Sequence, residues 1–161
     1  MEAALLTVGG WLDAVGLTGW ARREAWAYPA ANVLHVLGLA MFLGPIGIVD
    51  LRLAGLLRRL PQAAVSDALL PIAVAGLVLL AGSGAILFAA DAGALAGSAM
   101  FRVKLLVILL ALGNAALFRF RWRRRQLGGS TALSLPGRLM ALLSLLLWAG
   151  VAVMGRLIAY A

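Results

Sequence analysis

The sequence predicts an all-α fold: an integral membrane four-helix bundle with a short N-terminal interfacial helix, forming a single transmembrane domain over 1–161. Three observations carry this. Of the 161 residues 64% are hydrophobic and 12% charged, with a mean hydropathy of +1.03, whereas a soluble domain needs about 25% charged residues to cover its surface. Several uncharged stretches match the ~20 helical residues that cross a hydrocarbon core. Ala and Leu dominate without any alternation of period two, which disfavours strands.

The segment 1–24 is a separate element. Leu5, Leu6, Trp11, Leu12, Val15, Leu17 and Trp20 are interrupted by Gly9, Gly10, Gly16 and Gly19, so any helix here is short or broken. Its tryptophans suit an interface. A cleavable signal peptide is disfavoured, because Met1-Glu2 stands where a positive n-region belongs.

The first span is expected at about 27–52, built on the 25 uncharged residues between Glu24 and Asp50. Tyr28, Asn32, His35, Gly38 and Phe42 recur there at helical spacing and predict a partly polar face pointing inward. Gly44, Pro45 and Gly47 predict a kink. The second span, about 68–90, fills the 23 uncharged residues between Asp67 and Asp91 and carries Gly82-Ser83-Gly84. The third, about 99–120, must take Arg102 and Lys104 into its first turns, because its uncharged run, 105–118, has only 14 residues. The fourth, about 136–160, includes Gly150, Met154, Gly155 and Arg156. Asn114 and Ser144 are expected to hydrogen-bond each other across spans three and four.

Charge sets orientation. The chain carries 14 Lys and Arg against 6 Asp and Glu, a formal +8. Nine of the basic residues fall in the two connections on one side: Arg52, Arg58, Arg59, Arg119, Arg121, Arg123, Arg124, Arg125 and Arg138. The positive-inside rule places that side in the cytoplasm and both termini outside. The run from Arg119 to Arg125 interleaves basic and aromatic residues as nucleic-acid patches do. Flanking a span, it is explained by anionic lipid headgroups at ~1 kcal/mol per charge, so the bilayer is the expected partner and nucleic acid is not.

On the opposite side each span brings a polar or ionisable group to one half of the bundle: His35, Asp91, Arg102 with Lys104, and Arg156. Ionisable groups at mid-membrane cost roughly 2.5 to 3.5 kcal/mol on insertion scales, so they snorkel, pair or serve a site. The glycines at similar depth admit two readings, close helix packing or room for a flat prosthetic group.

Tyr28-Pro29, Asn32, His35, Gly38, Gly44 and Asp50-Leu51-Arg52-Leu53, with Arg156-Leu157-Ile158-Ala159-Tyr160 closing the chain, resemble a family of small bacterial four-span inner-membrane proteins of unknown function. More distantly this family is similar to CopD-like copper-resistance proteins and four-helix membrane cytochromes b. The resemblance implies the bacterial inner membrane, and a role for His35 as a haem or copper ligand in electron transfer or metal handling. His35 is the single histidine, so a bis-histidine haem within one chain is excluded. Haem b would need His35 with a methionine, His35 alone, or two His35 residues from a homodimer. Met154 and Met100 lie at matching depth, whereas Met41 is rotated about 120° from His35 on its own helix. Arg102, Lys104 and Arg156 would then pair with propionates, in a homodimer or a larger membrane redox complex. Copper is the parallel candidate, since thioether and imidazole suit Cu(I). The bland alternative is a core histidine hydrogen-bonded to Asn32 or Tyr28, in a cofactor-free structural or partner-binding subunit.

No catalytic signature accompanies these residues. There is no cysteine, and no His-Glu-x-x-His, Walker loop, nucleophile elbow or carboxylate pair. At most the chain is a redox subunit.

Overall fold

A computed structural model describes residues 1–126, with side chains to 121, and residues 134–158. The connection 127–133, the side chains of the arginine run from 122 onward and the last residues of the expected fourth span lie outside the described residues. Every described element is helical: α1 Glu2–Ala14, α2 Leu17–Arg23, α3 Ala27–Ala54, α4 Gln62–Ala90, α5 Ala92–Gly97, α6 Ala99–Gln126 and α7 Leu135–Leu157. Four of these, α3, α4, α6 over Ala99–Arg121 and α7, are long and apolar enough to cross a membrane, and the protein is a multi-pass four-helix membrane bundle.

The helices differ from several of the expected bounds: α3 ends at Ala54 and α6 at Gln126, α7 begins at Leu135 and ends at Leu157, and the largest difference is shared by the end of α6 and the start of α4. That helix begins at Gln62 rather than 68, because Gln62-Ala63-Ala64-Val65 favour helix and Pro61 stands at its N-cap. The polar Ser66 and Asp67 mark the edge of the apolar run, not of the helix. At 29 residues α4 is roughly 43 Å long, which exceeds a ~30 Å hydrocarbon core. The helix α3 runs through Pro45 without a break and ends at Gly55, whose φ of +96° closes it in the left-handed conformation.

Helices α3 and α4 form the tightest pair. A Cβ built on Gly76 of α4 would lie 2.6 Å from the backbone nitrogen of Phe42, and one on Gly38 of α3 would lie 3.1 Å from the Gly76 carbonyl oxygen. The two backbones therefore touch, the use that small residues serve in membranes. Helix α7 packs on α3 and on α6, while α4 and α6 scarcely meet. The order around the bundle is thus α4, α3, α7, α6, with a cleft between the first and last.

The core at mid-bundle is built on Phe42, Ala73, Ala111, Trp148 and Val151. Phe42 and Trp148 meet edge to face at 4.5 Å between centroids and 79° between planes, the arrangement that ring quadrupoles favour. At the end where the N-terminus lies, α1, α2 and α5 cover the bundle through Leu12, Phe88 and Ala89, with Phe88 stacked on Phe101. The expected interfacial helix is two helices, divided where Gly16 adopts a φ of +81°.

Candidate functional site

His35 stands on the third turn of α3, half-buried against α4. Its Nδ1 lies 3.0 Å from Oγ of Ser83. Ser83 has one hydroxyl proton, and it donates that proton to the Leu79 carbonyl at 2.6 Å. The serine oxygen can then only accept from the ring, so the imidazole carries its proton on Nδ1. Nε2 is left with a lone pair, the state of a histidine that ligates a metal and is oriented from behind.

The other helices close around the same point. A Cβ on Gly84 would lie 3.3 Å from Cε1 of His35, and one on Gly155 of α7 would lie 3.2 Å from Nζ of Lys104. Lys104, half-buried on α6, is the electrostatic neighbour of His35. Met154 is half-buried in the same turn of α7 as Gly155. Thus α3, α4, α6 and α7 all contribute to one locus of imidazole, hydroxyl and ammonium.

Other expected site residues are placed elsewhere. Tyr28 is 50% exposed and Asn32 is exposed, so neither points inward and neither is the hydrogen-bond partner found for His35. The buried stripe of α3 passes through Ala27, Ala31, Gly38 and Phe42, and at ~100° per residue Asn32 is turned about a quarter-circle away from its middle. Arg102 donates to the Ala96 and Gly97 carbonyls at 2.9 and 3.1 Å and pairs with Glu2 at 3.0 Å. Its guanidinium caps the C-terminus of α5 and ties α1 to α6. Arg156 lies exposed on the last turn of α7. The expected bond between Asn114 and Ser144 is absent: Asn114 donates to the Met140 carbonyl at 3.0 Å, and the Ser144 hydroxyl faces the Asp50 carboxyl.

Asp50 is the residue that sequence reasoning passed over. It is 6% exposed inside α3, its Oδ2 has no hydrogen-bond partner among the described residues, and it lines a 550 Å³ cavity between α3, α4, α6 and α7. Helical spacing alone did not reveal it, because Asp50 falls 18 residues, five full turns, after the exposed Asn32; the available signal was that α3 continues past it for another turn.

Among the described residues no three His, Cys, Asp or Glu side chains gather as a metal site. Any metal at His35 would therefore be a low-coordinate one that accepts thioether sulfur, as Cu(I) does. Haem fits the described residues less well. The His35 ring lies against Gly84, and the large cavity is lined by no histidine.

Residues 15–161 match a family of unknown function (DUF6644), and the chain belongs to that family. No curated protein and no solved structure matches it, so the copper and haem readings stand on the chemistry of the site alone.

Proposed function

We propose that this protein is a small subunit of the bacterial inner membrane, with both termini in the periplasm, that holds a redox metal at the outer half of its bundle for electron transfer or metal handling. The observation that carries the reading is the 3.0 Å contact of His35 Nδ1 with a Ser83 hydroxyl that itself lies 2.6 Å from the Leu79 carbonyl; with the serine proton spent on that carbonyl, the ring is protonated on Nδ1 and Nε2 is the metal ligand. Copper is favoured over haem b, because one ion needs only Nε2 and a thioether such as that of Met154, whereas a macrocycle needs a slot where Gly84 brings α4 onto the ring. Bound there, copper would supply one-electron chemistry. Lys104 would balance an anionic ligand of the ion, as it would a propionate if haem were bound.

The experiment is elemental analysis and absorbance spectroscopy of the protein purified from membranes, followed by titration with Cu(I). Stoichiometric copper that His35→Ala abolishes supports the proposal, and a Soret band lost in the same variant selects haem instead. Wild type and variant alike in metal content and colour would reject both. The second reading, a cofactor-free scaffold, is favoured by Lys104 beside His35, since a cation there lowers affinity for another. It expects the alanine variant to lose only about 1 kcal/mol of intramembrane hydrogen bonding.

A further inference from the structure

We propose that the cleft at the arginine-rich end of the bundle binds an organic cation with an apolar body, held by the Asp50 carboxylate. Asp50 has one oxygen buried without a hydrogen-bond partner among the described residues, and a carboxylate oxygen accepts up to two such bonds. Ser144 is the side chain that faces the carboxyl, and Asp50 lines the cavity, so a donor entering there meets a carboxyl with acceptor capacity to spare. A buried acid in that condition is costly unless a donor or an opposite charge reaches it. The cavity before it measures 550 Å³, large enough for a ligand of several rings or a chain.

The walls select the body of that ligand. Phe42 and Trp148 present an edge-to-face aromatic pair, and Leu53, Leu77 and Ala115 continue an apolar lining. An ammonium head is recognised by the carboxylate, with the apolar body reaching the aromatic pair about 12 Å further along α3, whereas an anion would meet Asp50 with like charge. Asp67 and Arg119, one of each sign, also line the cavity and are exposed, so the buried acid sets the preference. Because α4 and α6 scarcely meet, the cleft lies between two helices that face lipid, a route suited to an amphiphile already dissolved in the bilayer.

The test uses the full chain in nanodiscs of zwitterionic lipid, titrated calorimetrically against empty nanodiscs. Phenylbutylamine, as its ammonium ion, is compared with the neutral phenylbutanol. Saturable binding of the ammonium, tighter than the alcohol by about tenfold or more, is expected. Asp50→Asn should abolish that discrimination, and Ala115→Phe, which fills the cleft from an exposed position on α6, should weaken ammonium binding. If Asp50→Asn fails to fold, the wild-type comparison and Ala115→Phe still decide. Equal affinities for amine and alcohol, no saturable binding of the amine, or discrimination intact in a folded Asp50→Asn would each overturn the proposal.

Discussion

The single proton of the Ser83 hydroxyl goes to the Leu79 carbonyl, and this decides what His35 can offer on its other nitrogen. Ser83→Ala removes the acceptor behind the ring while leaving the ring itself. If Nε2 binds copper, that variant should lose affinity by roughly tenfold to a hundredfold, the effect of deleting a group that orients a ligand. Met154→Leu should weaken retention, and Met41→Leu, on another face, should leave it unchanged; competition with a Cu(I) chelator reads all three. His35 was legible in the sequence because a lone histidine in an apolar run stands out. Its partner was not, since Ser83 is 48 residues away on another helix and only packing brings them together. Asp50 was missed for a different reason. It bounded an uncharged run and was taken as an edge, whereas α3 carries it inside.

At the scale of the helix pair, Gly76 has no spare room. A methyl there would lie 2.6 Å from one backbone atom of α3 and 2.8 Å from another, and backbone cannot rotate aside as a side-chain tip does. Gly76→Ala should therefore force α3 and α4 apart and destabilise the bundle by about 1 to 3 kcal/mol, the cost of overpacking a well-packed contact. Gly82, on the same helix with nothing within 4 Å of its would-be Cβ, is the control: Gly82→Ala should be neutral or slightly stabilising. Thermal unfolding in detergent compares them, and equal melting temperatures would show that the helices do not approach as described. The helices themselves were readable from apolar length. Which of their glycines carried the contact was not, because helices that are apolar on nearly every side give no periodic sign of the face that meets a neighbour.

The whole molecule is asymmetric along the membrane normal, and the asymmetry is electrostatic. One end carries the connections after α3 and α6 with nine of the fourteen basic residues, and there the Asp50 cleft lies. The other carries the small helices α1, α2 and α5 together with the His35 locus. Positive-inside bias acts through short connections close to the spans, and both connections are short, so the arginine-rich end should be cytoplasmic. Four spans then return the C-terminus to the side of the N-terminus. A phosphatase that is active only in the periplasm should accordingly be active when fused after Ala161 and inactive when inserted between Gln126 and Ser134. Replacing Arg119, Arg121, Arg123, Arg124 and Arg125 by glutamine should erode that contrast, because those charges, and not the apolar spans, carry the orientation. Activity at the internal site and none at the terminus would invert the molecule. His35 would then face the cytoplasm, where a reducing environment supplies Cu(I) directly, and the Asp50 cleft would open toward the periplasmic leaflet.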